Sequence, residues 1–88
     1  MSISGHIGTP VFFQEDDESP RALKSGEYGL YKGIWYACPP RTELLANLAN
    51  HSVMQEADGT ITVSPSILVD NGSSSWHGYL EKGVWREC

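Results

Sequence analysis

A seven-residue segment occurs twice in this chain, and the repetition constrains the fold more than any other feature. Lys32-Gly33-Ile34-Trp35-Tyr36-Ala37-Cys38 returns as Lys82-Gly83-Val84-Trp85-Arg86-Glu87-Cys88. In each copy the Lys-Gly pair lies between β-forming residues, and glycine supplies the positive φ that a two-residue hairpin turn needs. The sequence therefore predicts two similar β-hairpins, with Trp35 and Trp85 at matching positions in or beside one core.

Length and turn-forming residues indicate a single small β domain over residues 1–88. The chain has 88 residues with 9 glycines and 5 prolines, which favour many tight connections and few long helices. We expect an all-β fold, a small sandwich or rolled antiparallel sheet of six to seven short strands. At most one short helix is expected, near residues 41–50, where leucines fit both helical and alternating spacing.

Other strands are bounded by turn residues. Pro10-Val11-Phe12-Phe13 is predicted as a first strand at a sheet edge, because proline cannot donate to a ladder. A hairpin is predicted around Asp58-Gly59, and Pro65 is expected to end its second strand. A separate short strand is then predicted at residues 67–69.

The acidic charge is concentrated in one run. The net charge is −5, and Glu15-Asp16-Asp17-Glu18 supplies four of the eleven acids. Six Lys and Arg residues without clustering disfavour nucleic-acid binding, which needs grouped cations at the phosphates. The acidic run is expected to be either a solvated loop or a docking patch for a partner with a basic surface.

The sequence shows neither an apolar membrane span nor a signal peptide. No run approaches the roughly 18 apolar residues of a membrane span, and the first residues lack the basic and apolar regions of a signal peptide. We therefore expect a cytoplasmic protein, and no membrane partner.

The chain offers few metal ligands or nucleophiles. Structural zinc takes four Cys or His ligands, and the candidates are the isolated residues Cys38, His51, His77 and Cys88. We favour two free thiols and no cofactor; zinc held by Cys38, His77 and Cys88 and a disulfide between the cysteines are the alternatives.

Catalysis is not predicted. Cys38 with His77 or His51 would make a thiol enzyme, and Ser64 or Ser66 with His77 and Asp70 has the residue types of a triad but not its nucleophile elbow. Trp76 lies beside three serines, and we expect it to be exposed and to bind a partner.

A series of short motifs extends from residue 20 to residue 88. They are Pro20-x-x-Leu23-x-x-Gly26, Cys38-Pro39, Asn50-His51, Asp58-Gly59-x-Ile61-Thr62-Val63-Ser64-Pro65-Ser66-Ile67, and His77 ahead of Gly83-x-Trp85. This order resembles a small domain family of unknown function found in phage genomes and beside bacterial ubiquitin-like conjugation genes.

The resemblance implies a zinc site that this chain has largely lost. The family pattern has a Cys-Pro-Cys-Gly-Cys cluster and a cysteine three residues before the histidine. Here the cluster reads Cys38-Pro39-Pro40-Arg41-Thr42, and residue 74 is serine. Metal binding is therefore not carried over.

Together these features predict a non-enzymatic protein-binding module, a phage-encoded inhibitor or adaptor that acts on a host protein such as a defence component. Its contact surface is expected at Glu15, Asp16, Asp17, Glu18 and Trp76. A degenerate zinc-stabilised structural domain of a larger assembly is the alternative, and a Cys/His thiol enzyme is a third.

Overall fold

The protein is an all-β sandwich of two sheets. The computed structural model describes residues 5–13 and 23–88, which form nine strands and no helix. The strands are β1 Gly5–Ile7, β2 Thr9–Phe12, β3 Glu27–Tyr31, β4 Ile34–Ala37, β5 Ala46–Asn47, β6 Ser52–Gln55, β7 Ile61–Asp70, β8 Ser75–Glu81 and β9 Val84–Glu87. Sheet A has the order β1-β9-β8-β7-β6, and sheet B has the order β2-β3-β4-β5. The all-β prediction is confirmed, although the described residues hold more strands than the six to seven expected.

The two predicted hairpins are confirmed, one in each sheet. Lys32 and Gly33 join β3 to β4 with φ of 51° and 85°, and Lys82 and Gly83 join β8 to β9 with φ of 49° and 78°. Positive φ at both central residues is the type I′ turn that matches strand twist. The tryptophans take equivalent positions, since Trp35 pairs with Leu30 and Trp85 pairs with Leu80.

A strand segment near the start of the chain is shared by both sheets. β1 pairs with β9 in sheet A, and after Gly8 the chain continues as β2 at the edge of sheet B. A Cβ at Gly8 would lie 2.8 Å from Trp85 Nε1 and 2.9 Å from Tyr28 Cε2, so only glycine lets the chain cross here. β2 has the predicted edge position, and it pairs in parallel with β3, whereas the other pairings of the described strands are antiparallel.

Pro65 does not end its strand. β7 runs through it from Ile61 to Asp70, and the register against β8 shifts between Val63 and Ile67. A bulge leaves residues unpaired, so a proline without an N–H costs no ladder hydrogen bond at this point. Residues 41–50 contain the two-residue strand β5 and no helix.

The core lies between the sheets. Its buried residues are Tyr28, Ala37, Leu44, Ala46, Leu48, Ile61, Val63, Ile67, Trp76, Leu80 and Trp85. Trp85 is fully buried, its ring meets that of Trp76 edge-on with centroids 5.2 Å apart, and its Nε1 donates to Gly26 O at 3.0 Å. That hydrogen bond ties sheet A to the start of sheet B. The described residues include no helix long and apolar enough to span a membrane.

Candidate functional site

A row of large apolar side chains on the inner face of sheet B is not covered by other residues that the structure describes. Phe12 pairs with Leu30, and Leu30 pairs with Trp35. Residues two apart on a strand share a face, so this row continues the face of Tyr28 and Ala37, which are completely buried. Phe12 is nevertheless 80% exposed and Leu30 46% exposed, while Trp35 packs partly against the core. Sheet B therefore projects beyond the cover that sheet A provides.

This uncovered row borders a cavity, which we call the aromatic slot. Its volume is about 210 Å³, and it is lined by Pro10, Val11, Phe12, Phe13, Tyr28, Leu30, Trp35, Gln55 and Gly59. Sheet A and its β6–β7 turn contribute only the last two. Three aromatic side chains of the inner face, those of Phe12, Tyr28 and Trp35, thus border this space, while the Phe13 ring packs against Tyr31 on the other face of sheet B.

One carboxylate, that of Asp58, acts on a residue that lines the aromatic slot, since burial first and this charge second raise the pKa of Tyr28. Asp58 precedes the lining residue Gly59, whereas the Glu56 carboxylate accepts a hydrogen bond from Thr62 Oγ1 at 2.8 Å. Asp58 Oδ1 accepts hydrogen bonds from Thr60 Oγ1 at 2.7 Å and Thr60 N at 3.0 Å. These bonds hold the pKa of Asp58 below its ordinary value, so this carboxylate is ionised at neutral pH.

Tyr28 carries a buried hydroxyl beneath this region. The side chain is 0% exposed, and its Oη has no hydrogen-bond partner among the described residues. Burial, and then the charge of Asp58, raise the pKa of Tyr28. The hydroxyl thus stays protonated and unpaired inside the core.

A second, polar cleft lies at another part of the molecule. It has a volume of about 1020 Å³ and is lined by Leu23, Lys24, Ser25, Cys38, Arg41, Thr42, Glu43, Leu44, Asn71, Ser74 and Ser75. Three of these positions, Cys38, Thr42 and Ser74, are ones at which the resemblance implies cysteine ligands. The fold brings them around one space although 36 positions separate the first from the last (74 − 38).

The residues present in the polar cleft do not make a zinc site. The described residues contain no group of three or more His, Cys, Asp or Glu side chains that could hold a metal. Thr42 Oγ1 instead donates to Pro39 O at 2.8 Å, and Ser25 Oγ accepts from Thr42 N at 3.3 Å. The hydroxyl groups of Thr42 and Ser25 thus stabilise the loop through hydrogen bonds to the backbone.

Two residues of the alternative ligand set are neighbours, since Cys88 N donates to His77 O at 2.9 Å, but the third, Cys38, lines the polar cleft. Cys38 is buried in the polar cleft, whereas Cys88 is an exposed free thiol. His77 lies exposed on the outer face of sheet A, with Nε2 3.0 Å from Ser66 Oγ. Both cysteines are free, so the disulfide alternative is wrong for this structure.

Cys38 has the environment of an inert thiol. Its Sγ lies 3.5 Å from Thr42 O and 3.9 Å from Pro39 O, both of them acceptors. Burial is the main cause that raises its pKa, and a reactive cysteine needs the opposite shift. His51, the other histidine considered as a base for Cys38, has its Nε2 at 3.1 Å from Ser66 O.

The structure does bring Ser66 and His77 together, as the triad residue types would require. The Asp70 carboxylate is used elsewhere, because its Oδ1 accepts a hydrogen bond from Gly72 N at 2.7 Å. An exposed Ser-His pair alone gives a base without an orienting group. We therefore assign no nucleophile on this surface.

The two parts of the predicted contact surface, the acidic run and Trp76, have different outcomes. Glu15, Asp16, Asp17 and Glu18 lie outside the described residues. Trp76 is only 3% exposed, so the expectation that it is exposed is wrong. Trp76 shares the inner face with Gly78 and Leu80, and the missing side chain at Gly78 leaves space for its ring.

Comparisons of the chain with known protein families, curated proteins and solved structures found no match. The aromatic slot was missed from the sequence, although one signal was present. Phe12 and Phe13 follow the edge residue Pro10, and two adjacent phenylalanines on an edge strand place one ring on each sheet face.

Proposed function

We propose that this protein is a non-enzymatic binding module that contacts a partner protein through the aromatic slot. The observation that carries the proposal is the uncovered row Phe12, Leu30 and Trp35. A large side chain such as Phe12 that is 80% exposed on a core-facing row gains stabilisation only when another surface covers it. Aromatic residues that fill such positions commonly dominate the binding energy of an interface.

The resemblance to phage-borne domains supports a host protein as the partner, with the module acting as an inhibitor or adaptor. The acidic run Glu15-Asp16-Asp17-Glu18 would speed encounter with a basic surface, and the aromatic slot would slow dissociation. Phe12 thus takes the role that the sequence suggested for Trp76.

Site-specific photocrosslinking tests this surface. A benzophenone side chain is placed at Phe12 in one sample and at Leu68 in another, since Leu68 is 69% exposed on the opposite, outer face of sheet A. In extract of the host cell we expect one dominant adduct from position 12 and not from position 68, and unlabelled protein should compete with it. Equal adducts at both positions, or none at position 12, would reject the surface.

Kinetics with the identified partner separate the two contributions. Phe12→Ala should mainly hasten dissociation, and Leu68→Ala should not. Replacing the four acids with Asn and Gln should slow association and flatten its salt dependence. Unchanged kinetics in both variants would contradict the proposed division of roles.

The polar cleft favours a second candidate, a degenerate metal-stabilised domain with a structural role. The specific observation is that Cys38, Thr42 and Ser74 line one space. Restoring thiols with Pro40→Cys, Thr42→Cys and Ser74→Cys should then give stoichiometric zinc binding. A matched control places the last cysteine at Ser73; equal zinc content in both variants, or none, would count against this candidate.

A further inference from the structure

We infer that the aromatic slot receives the side chain of an arginine from a basic segment of the partner protein. The inference rests on the proposed function and specifies the chemistry of the group that is bound.

The size of the aromatic slot suits a single side chain. At about 210 Å³ it is smaller than the roughly 300–1,000 Å³ of sites that enclose drug-sized ligands. The edge of β2 also disfavours binding by strand addition. Thr9 N points toward β3, because it donates to Gly26 O just ahead of that strand. The backbone nitrogen of the next residue, Pro10, therefore points away from the sheet. An added strand would need an N–H at that position, and proline has none. The size of the aromatic slot and this edge together favour a partner that inserts one side chain.

The walls of the aromatic slot favour a cation with an apolar stem. Phe12 and Trp35 present aromatic surface, and Leu30 presents an aliphatic surface that can cover methylene groups. Cations are attracted to aromatic faces, most strongly to tryptophan. The protein already shows this contact on the other face of sheet B, where Lys32 Nζ lies 5.3 Å from the ring centroid of Tyr31.

The charge around the aromatic slot has the complementary sign. Asp58 precedes the lining residue Gly59, and its charge acts on Tyr28, which also lines the aromatic slot. The chain as a whole has a net charge of −5. Arginine is favoured over lysine because its planar guanidinium is more weakly hydrated and stacks on aromatic rings.

Peptide titrations followed by NMR test the inference. The probes are acetyl-Gly-Gly-X-Gly-Gly-amide peptides in which X is arginine, its neutral isostere citrulline, or leucine. The indole N–H signal of Trp35, identified as the one lost in Trp35→Phe, should shift on adding the arginine peptide, while those of the buried Trp76 and Trp85 serve as internal references. We expect the arginine peptide to bind at least about threefold more tightly than the other two.

Variants locate the effect. Phe12→Ala should reduce the affinity for the arginine peptide, and the matched truncation Leu68→Ala on the other surface should not. Asp58→Asn keeps an oxygen acceptor for Thr60 but removes the charge, so it should weaken arginine binding and leave leucine and citrulline unchanged.

Two results would overturn the inference. If the leucine peptide binds as tightly as the arginine peptide, the slot is an apolar anchor site; the proposed function then stands and the cation preference fails. If no peptide shifts Trp35 in the millimolar range, the slot does not receive an isolated side chain of these classes, and the crosslinking at position 12 decides the proposed function separately.

Discussion

Removing the hydroxyl of Tyr28 should stabilise the protein. This hydroxyl is fully buried without a hydrogen-bond partner among the described residues, and such a group costs about 1–3 kcal/mol of desolvation. Tyr28→Phe keeps the ring that packs in the core and removes only one oxygen. The Tyr28 oxygen lies close to Gly83, because a Cβ atom added to that glycine would lie only 3.1 Å from it. Its removal therefore also loses packing contacts. About five lost contacts at 0.1–0.2 kcal/mol each forfeit at most about 1 kcal/mol.

The net gain is therefore about 1 kcal/mol in the free energy of unfolding. For a domain of this size it should raise the melting temperature by roughly 4–8 °C. Chemical and thermal denaturation followed by circular dichroism measure both quantities. Tyr79→Phe is the matched control, because Tyr79 is exposed and its replacement should change stability by less than about 0.5 kcal/mol.

The same substitution predicts a pH dependence. The pKa of Tyr28 in the folded protein lies above its ordinary value of 10.0, through burial first and Asp58 second. Stability from the neutral hydroxyl form is thus complete below pH 10.0 and is lost as the pH rises through the folded pKa. The difference in unfolding free energy between Tyr28→Phe and the wild type should therefore widen as the pH rises above 10.0. A variant that is less stable than the wild type, or a difference that does not change with pH, would refute the assignment of an unpaired hydroxyl.

Four further outcomes are expected. Trp85→Ala should cost about 3–5 kcal/mol of unfolding free energy because Trp85 is fully buried, and Trp35→Ala should cost less; equal losses would contradict the burial difference. With a thiol reagent, Cys88 should react at once and Cys38 only after denaturation, because Cys38 is buried; two fast thiols would argue against this. Asp58→Asn should remove a stabilising contribution that is present above pH 3.8 and fades as the pH falls through the lowered pKa of Asp58, seen as convergence of the two acid-denaturation curves. Protein purified without chelator should hold less than one equivalent of zinc and keep its melting temperature with chelator; stoichiometric zinc and collapse on chelation would overturn this.

The predictable parts of the fold are those that depend on local chemistry. The Lys-Gly turns determine both hairpins within a few residues, and Asp58-Gly59 does the same for β6 and β7. The parallel pairing of β2 with β3 joins residues such as Thr9 and Glu27, and no local pattern marks it. The exposure of Phe12 is also non-local, because it depends on how far one sheet extends beyond the other.

The burial of Trp76 was predictable from strand alternation, but the serine-rich loop beside it led to the opposite expectation. The neighbouring serines suggested an exposed loop, but the alternation of Trp76, Gly78 and Leu80 places all three on one strand face. Because Leu80 belongs to the hairpin that was predicted with its tryptophan in the core, Trp76 follows it inward. Period-two alternation therefore predicts burial here better than the composition of the adjoining loop.

The pairing of β1 with β9 has a consequence for biosynthesis. All the strands of sheet B lie within residues 9–47, whereas Ile7 must wait for Val84, which follows 77 positions later (84 − 7). At roughly 5–20 residues per second a ribosome needs about 4–15 s to cover that distance. During this interval the nascent chain can hold sheet B together while its apolar inner face lacks sheet A. The newly made chain is thus most exposed to aggregation, and most dependent on chaperones, before β9 emerges and pairs with β1.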